Sequence, residues 1–445
     1  RTGDPRHGRA GHAELGETAM QNELIKQLNA DTKEERINAV KGLKKLIDSG
    51  EIEVPEKQGY TNNHVHTTYS FSPYSPAKAV WMAMMNGLST VGIIDHDAIN
   101  GAEEFIKAGE ILGMPTTIGF EIRTDWTNTK LSGTRINNPD QVSSAYICAH
   151  GLPHTQIENA DNYLKNIRTA REKRSRAMTA KLNEIMQPHG IVIDYDTDVV
   201  PLSSAADGGE VTERHILFAL ANKMIDKFGK GQALIDFLER SLNLKLSGTQ
   251  KTLLGDTQCD IYAYDSLNVL KGGFVSQIYI ESTPDETPDV REVVKAIKSW
   301  GAIPSYCYLG DVAASPTGDK KAQTFEDAYL DELFPLVKDI GFDAIAYMPS
   351  RNTIEQLDRV MKKCDEYGFM QISGEDINQP RQSFICKQLK EPRFTHLIDT
   401  TWALVGHEKA ATKDLQSGMF ADDAKLSPEL MKARIEKYKA IGLGE

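Results

Sequence analysis

Residues 89–113, STVGIIDHDAINGAEEFIKAGEILG, contain the three parts of one structural unit. A short apolar run ends in the polar cluster DHD, and a stretch with apolar residues at helical spacing follows it. A run this short and this apolar is typical of a strand that is covered on both faces of its sheet. The segment therefore predicts a strand, a loop with polar side chains, and a helix.

This unit recurs along most of the chain, with helical patterns such as PAKAVWMAMMNG and VREVVKAIKSWG between the apolar runs. Alternating strands and helices indicate an α/β fold with a parallel sheet. Polar clusters stand at the carboxyl end of each run, where a (β/α) barrel assembles its active site. The runs predicted as strands are YTNNHVH, STVGIIDHD, TTIGFEI, SAYICAHG, GGFVSQIYIES, GAIPSYCYLGD, FDAIAYM and FMQISGEDIN.

Segments outside this alternation set the predicted domain boundaries. We expect a tag or disordered leader over residues 1–19 and a helical segment over 20–57. The barrel is predicted over 58–400, with a C-terminal helical appendage over 401–445. A long charged helical pattern and further helical runs interrupt the barrel, and they predict an insertion at about 155–270 that covers one side of it.

The composition limits the classes of partner. The chain has 51 basic and 63 acidic residues and a net charge of −12, which would repel a polyanion, so we expect no nucleic-acid partner. No apolar run approaches the roughly 20 residues of a membrane span, and we expect a cytoplasmic protein without a membrane partner. The five scattered cysteines form no CxxC pair and predict reduced, mostly buried thiols.

Histidines and carboxylates in the strand-end clusters predict a divalent metal. His64 and His66 alternate along a strand, so both side chains point to one face and can bind one ion together. Glu121 ends a buried run and needs a cation, either a metal or a base such as Arg123. A bound metal accounts for the clusters together. Its candidate ligands are His64, His66, Glu121, His150 and Asp376.

Other polar residues are candidates for proton transfer or anion binding. The predicted catalytic residues are His96, His215 and Asp95, because imidazole titrates near neutral pH and a carboxylate can orient it. His215 is equally well explained as a helix-capping residue. Arg214 and Arg381 are candidates for binding a phosphate or carboxylate, with a loop salt bridge as the alternative for Arg381.

The motifs HVHTTYS, IIDHDAINGAEEF, GFEI, ICAHGL, REKRSRAMTAKLNE, ERHILFALA and VKAIKSWGAIPS resemble the PHP (polymerase and histidinol phosphatase) family, from about residue 60 to about 383. The resemblance implies a distorted (β/α)7 TIM-like barrel with a helical insertion. It also implies two or three divalent ions, usually Zn, Mn or Fe, and hydrolysis of phosphate esters by a metal-activated water. One complete site of the family is matched by His64, His66, Glu121 and Asp376, and His150 matches a ligand of the second.

Three positions depart from the family's ligand pattern. Phe71, Tyr308 and Asn378 stand where the resemblance implies metal ligands, and the family's RPH signature is altered to Glu213-Arg214-His215. The resemblance therefore implies a divergent member with one or two ions rather than three.

The leading hypothesis is a metal-dependent phosphoesterase of the EC 3.1 class that acts on a small phosphorylated or otherwise anionic metabolite. Two alternatives stay open because of the missing ligands. One is a non-catalytic or regulatory metal-binding barrel, and the other is a mononuclear amidohydrolase-like enzyme acting on a C–N or carbonyl centre. The sequence leaves a homo-oligomer open.

Overall fold

A seven-stranded sheet curls around the centre of the computed structural model, which describes residues 19–313, 322–422 and 426–445. The strands neighbour one another in chain order, and a bridge between Val65 and Ile377 joins the two edges. The predicted leader lies almost wholly outside the described residues. The strands are β1 (Tyr60–Val65), β2 (Leu88–His96), β3 (Thr116–Asp125), β4 (Ser144–His150), β5 (Ile303–Cys307), β6 (Ala344–Tyr347) and β7 (Met370–Ser373).

Helices cover this barrel, as the alternating pattern predicts. Residues 19–27 are also helical. The described helices beyond them are α1 (Lys33–Asp48), α2 (Pro76–Met85), α3 (Ala102–Leu112), α4 (Ile157–Met186), α5 (Glu213–Phe228), α6 (Gln232–Asp236), α7 (Gly248–Gly255), α8 (Tyr262–Gly273), α9 (Val275–Ile278), α10 (Val290–Ser299), α11 (Leu330–Ile340), α12 (Ile354–Tyr367), α13 (His396–Lys413) and α14 (Pro428–Leu443).

One strand runs against the others. β4 is antiparallel to both β3 and β5, whereas every other neighbouring pair is parallel. The prediction of a parallel sheet is wrong for this strand. Residues 126–143 between β3 and β4 contain no helix, and a parallel crossover needs a dozen or more residues that usually form one. The chain therefore returns along the edge of β3 in the opposite direction.

The run GGFVSQIYIES, residues 272–282, is not a strand. It forms the end of α8 and the short helix α9. Val275 and Ile278 are buried in a second hydrophobic core, which consists mostly of residues from the helical insertion. Packing within the insertion thus overrides the strand propensity of this run, and the insertion extends beyond the predicted limit of about residue 270.

Buried ion pairs tie the insertion to the barrel. Glu286 binds Arg123 of β3 and also accepts a hydrogen bond of 2.8 Å from Arg174 Nε of α4. Arg174 and Arg171 then bind the two oxygens of Glu213, at the start of α5, each at 2.7 Å. All these side chains are at most 12% exposed, so each charge depends on its neighbours for compensation.

Helix α13, the last but one of the described helices, packs against the barrel at the end opposite the strand-end clusters. Its Thr401 hydroxyl accepts a hydrogen bond of 2.9 Å from the Asn63 amide of β1. Its Glu408 carboxylate accepts one of 2.9 Å from the backbone N–H of Ile118 near the start of β3. The predicted boundary at residue 400 falls inside this helix, which belongs to the base of the barrel.

No helix in the described ranges has the length and apolar character needed to cross a bilayer.

Removing the central acid of the ion-pair network should destabilise the fold. We expect Glu286→Ala to lower the free energy of unfolding by about 3 kcal/mol, because the buried Arg123 loses its carboxylate partner and Arg174 keeps only Glu213. Glu172→Ala is the matched control, since its pair with Arg176 is about half exposed and should contribute less than about 1 kcal/mol. Urea unfolding followed by circular dichroism measures both, and equal losses would contradict the network's role.

Candidate metal centre

A cavity of about 430 Å³ lies at the carboxyl ends of the barrel strands. It collects side chains from loops that are far apart in the sequence, as a barrel mouth does. His64, His96, Glu121 and Asp376 line it from the barrel, and Arg214 lines it from the insertion. The strand-end clusters therefore meet at one cavity.

The donor atoms of four predicted ligands converge in this cavity. His64 Nε2 lies 3.0 Å from Glu121 Oε2, and His66 Nε2 lies 3.5 Å from the same oxygen. His66 Nε2 is also 3.0 Å from Asp376 Oδ1. Donor atoms of His64, His66 and Asp376 all lie within 4.8 Å of one another, which is the spacing of ligands around one ion.

A hydrogen-bond chain determines which nitrogen of His66 carries its proton. Thr67 and Ser70 both donate to Asp95, with the Ser70 hydroxyl 2.7 Å from Asp95 Oδ1. Because that hydroxyl hydrogen is used, the Ser70 oxygen accepts the proton of His66 Nδ1 at 3.2 Å. The lone pair of His66 Nε2 then faces the carboxylates, as a metal ligand requires.

The carboxylate of Glu121 dominates the electrostatics. Burial acts to raise the pKa of Glu121, but the surrounding imidazoles of His96, His64 and His66 outweigh it and lower that pKa to about 2. Burial opposes charge on His64, yet its hydrogen bond to Glu121 raises the pKa of His64 to about 9. Burial lowers the pKa of His96 to about 4, so this ring is neutral at pH 7.

Unpartnered buried nitrogens support a metal in this cavity. His150 Nε2 is buried without a hydrogen-bond partner among the described residues, and His66 Nε2, although 3.0 Å from Asp376 Oδ1, makes no hydrogen bond in the tautomer that Ser70 fixes. Buried polar atoms without a partner are rare in folded proteins. Imidazole and carboxylate donors around such atoms suit Zn, Mn or Fe, so the residues present fit a divalent ion.

Asp95 is not exposed to the cavity in the way a catalytic residue requires. It is 1% exposed and binds Thr67 and Ser70. These contacts place Asp95 behind His66, where it can orient that ring through Ser70, and its catalytic role stays a prediction. His96 does line the cavity, and its ring stacks on His66 at a centroid distance of 4.6 Å.

His150 lies elsewhere than predicted. Because β4 is antiparallel, its last residue pairs with Ile303 at the start of β5, away from the strand-end clusters. The His150 side chain is still among those that line the cavity. The β4 residue that pairs with Glu121 is Cys148, two positions earlier.

Two other predicted site residues have structural roles. His215 is 1% exposed, and its Nδ1 accepts a hydrogen bond of 2.9 Å from the backbone N–H of Thr212. It caps α5, which is the alternative considered for it, and a catalytic role is not supported. Arg381 binds both oxygens of Asp265, at 2.7 and 2.9 Å, so the salt-bridge alternative describes it.

Of the two arginines predicted to bind an anion, Arg214 lies where it could do so. It lines the cavity, and its Nη1 is buried without a hydrogen-bond partner among the described residues. The neighbouring Arg171 is bound by Glu213 and Asp97 through its two Nη atoms, and its Nε is likewise buried without a partner among the described residues. An unsatisfied guanidinium nitrogen in a cavity is suited to an anionic group of a ligand.

The three departures from the family pattern have local explanations. Phe71 is 6% exposed and packs edge-on against Phe218 of α5 at 5.8 Å, within the core of the insertion. The Tyr308 hydroxyl donates to Asp327 at 2.5 Å. Asn378 Nδ2 donates to Asp376 at 3.2 Å. Packing and hydrogen bonds thus occupy the positions where the resemblance implies ligands.

Two cysteines were missed by the sequence prediction. Cys148 and Cys307 lie on neighbouring strands with their sulfurs 3.3 Å apart, and donor atoms of His64, Glu121 and Cys148 lie within 4.8 Å of one another. Burial raises the pKa of the Cys148 thiol well above its usual value. The alternation Tyr146, Cys148, His150 along one strand face is the signal that could have pointed to this side of the cavity.

These features define an α/β barrel of the TIM-like type, and a solved structure shares this fold. A proposed metal-dependent phosphoesterase from Bifidobacterium adolescentis aligns over 78% of this chain and 96% of its own, with a TM-score of 0.50 and 20% identity. The chain is also similar to an amidohydrolase from Chromobacterium violaceum, over 74% of this chain and 90% of that one, with a TM-score of 0.48 and 16% identity.

Sequence comparison gives less. No protein-family model matches the chain. A 5′-3′ exoribonuclease from Haemophilus influenzae is 26% identical over 152 residues, which is 34% of this chain. The match spans 47% of that relative, about half of its length.

The hydrogen-bond chain behind His66 can be tested by substitution. We expect Ser70→Ala to weaken metal binding by about 10- to 100-fold, because it removes the group that fixes the tautomer of His66. Ser72→Ala is the matched control, since the Ser72 hydroxyl accepts from the backbone of Tyr74. Competition with a chromophoric chelator measures both affinities, and identical values would show that the Ser70 contact is irrelevant to binding.

Proposed function

We propose that the protein is a metal-dependent phosphoesterase whose substrate is a small phosphorylated metabolite. The observation that carries this proposal is the convergence of His64, His66, Glu121 and Asp376 at a cavity that Arg214, with its unpartnered Nη1, also lines. The first group provides ligands for a divalent ion, and the second provides a site for an anion.

A divalent ion bound there would supply Lewis-acid polarisation and a water of lowered pKa. The chain's own residues orient the reaction. Ser70 and Asp95 fix His66, and Glu121 fixes His64 through the 3.0 Å contact. Arg214 is proposed to bind the phosphate through bidentate hydrogen bonds, which would keep the phosphorus close to the candidate metal ligands.

His96 is the proposed proton donor to the leaving group. Its side chain is 25% exposed in the cavity, and its Nδ1 lies 3.8 Å from Glu121 Oε2. Binding of a dianionic phosphate would favour the protonated ring, because an opposite charge raises the pKa of a histidine. A protonated histidine within hydrogen-bond reach of the leaving ester oxygen can donate its proton to that oxygen.

The similarity to an exoribonuclease bears on the bond that is cleaved, because that relative acts on phosphodiesters. The net charge of −12 still disfavours a long polyanion. A phosphomonoester or a very short oligonucleotide remains compatible with a cavity of about 430 Å³. A substrate panel should therefore contain both.

Metal removal tests the proposal directly. We expect protein stripped with a chelator to lose hydrolysis of para-nitrophenyl phosphate and nucleoside monophosphates, and to regain it with Zn²⁺, Mn²⁺ or Fe²⁺. His64→Ala combined with His66→Ala should lose both metal and activity, since it removes two imidazole ligands. Metal content is measured by inductively coupled plasma mass spectrometry.

The panel also separates the alternatives. About one equivalent of metal without turnover of any phosphate ester would refute the phosphoesterase and favour a regulatory barrel. Hydrolysis of an amide, with phosphate esters untouched, would favour the amidohydrolase-like alternative.

The anion site has its own test. We expect Arg214→Gln to raise KM for a phosphomonoester about tenfold or more, because a charge-assisted hydrogen bond to phosphate is lost. Arg381→Gln is the matched control, since that arginine is bound to Asp265. Steady-state kinetics on both variants decides, and an unchanged KM in Arg214→Gln would exclude the arginine from substrate binding.

A further inference from the structure

We propose that Cys148 and Cys307 supply two thiolate ligands to a second metal position, on the β4–β5 side of Glu121, and that these ligands select Zn²⁺ or Fe²⁺. The inference rests on the metal centre of the proposed function, which it extends by a position with softer donors.

The strand register places both sulfurs on the inner face of the barrel. Cys148 of β4 pairs with Ser305 of β5, and Cys307 lies two residues further along β5. Residues two apart on a strand share a face, so Ser305 and Cys307 point to the same side as Cys148. The resulting separation of 3.3 Å between the sulfurs is a consequence of neighbouring strands.

The separation suits a shared ion with little movement. A tetrahedral zinc ion with bonds of about 2.3 Å holds two sulfurs roughly 3.8 Å apart. The thiols would have to separate by only about 0.5 Å to reach that spacing. Donor atoms of Glu121 and His64 lie within 4.8 Å of the Cys148 sulfur and of each other. Glu121 provides an oxygen donor for the same ion, whereas the single lone pair of His64 serves the other position.

Unpartnered polar groups in the same region independently indicate a ligand. His150, two residues from Cys148 on the same face, is 2% exposed, lines the cavity and has an unpartnered Nε2. Ser305, directly across from Cys148, buries its hydroxyl without a partner among the described residues. An apolar packing role for the cysteines would not explain these two groups.

The donor types decide the metal. Thiolates favour Zn²⁺ and iron, whereas carboxylates and water suit Mn²⁺ and Mg²⁺. The other predicted position, with His64, His66, Glu121 and Asp376, has no sulfur ligand. A carboxylate has two oxygens, so Glu121 can serve both positions. Cys307 lines the cavity, which gives an ion a path to the sulfurs.

Cobalt substitution tests the position without relying on activity. The metal-free, fully reduced protein is titrated with Co²⁺, and we expect an intense near-ultraviolet band from cobalt–thiolate charge transfer. Cys148→Ser combined with Cys307→Ser should lose this band and about one equivalent of metal. Cys259→Ser is the matched control, because that cysteine lies beside Asp265 and Arg381, outside the cavity.

A second measurement needs no variant. Iodoacetamide labelling followed by peptide mass spectrometry should modify Cys307 in the metal-free protein and spare it after Zn²⁺ is added. Wild-type protein that binds Co²⁺ without the band, and whose Cys307 labelling is unaffected by Zn²⁺, would overturn the thiolate position.

Phosphate-ester hydrolysis measured on the same samples keeps the two proposals apart. The cobalt–thiolate band without hydrolysis would refute the phosphoesterase and leave the thiolate position standing. Hydrolysis without the cobalt–thiolate band would refute the thiolate position and leave the phosphoesterase standing.

Discussion

The carboxylate of Glu121, buried among three imidazoles, is the interaction on which the barrel mouth depends. An isolated charge at the end of a buried strand is strongly unfavourable. Here His64, whose pKa is raised to about 9, compensates it at 3.0 Å, and two further rings lie within 4 Å of the carboxylate. Those rings come from β1 and β2, so the single carboxylate of β3 draws three strands together at one end. The same negative charge attracts a cation to the cavity. The imidazoles can bind that cation through their lone pairs only when they are neutral.

Buried polar groups at the barrel mouth need rigid support. Ion pairs provide it at the mouth of the barrel, and hydrogen bonds provide it at the base. At the mouth, Arg171 and Arg174 of α4 link Glu213 and Glu286, so the insertion is held by charges that cannot separate without loss of compensation. At the base, α13 supplies hydrogen bonds to β1 and β3. The ligand-bearing strand ends are thereby fixed by side-chain contacts from both directions, which favours a preorganised site.

The sequence predicts the parts of this fold that depend on local pattern. The runs around His64, His96 and Glu121 are strands followed by polar clusters, because a buried strand in an α/β barrel leaves the same apolar signature wherever it occurs. The direction of β4 could not be predicted, since an apolar run reads alike for a parallel and an antiparallel strand. The run at 272–282 failed for a related reason: Val275 and Ile278 are buried by the insertion, and burial alone does not distinguish a strand from a helix.

Local sequence pattern also predicts only part of the candidate site. The HxH pair is visible in the sequence because its members are two residues apart, whereas Cys148 and Cys307 are 159 residues apart and meet only through strand pairing. Phe71 shows the complementary effect: a position where the family pattern implies a ligand contributes instead to the core of the insertion. An ion on that side would have to displace a packed ring, while the β4–β5 side offers sulfurs, an unpartnered imidazole and a shared carboxylate. The antiparallel course of β4 brings Cys148, and not His150, level with Glu121, and the proposed thiolate position depends on this register.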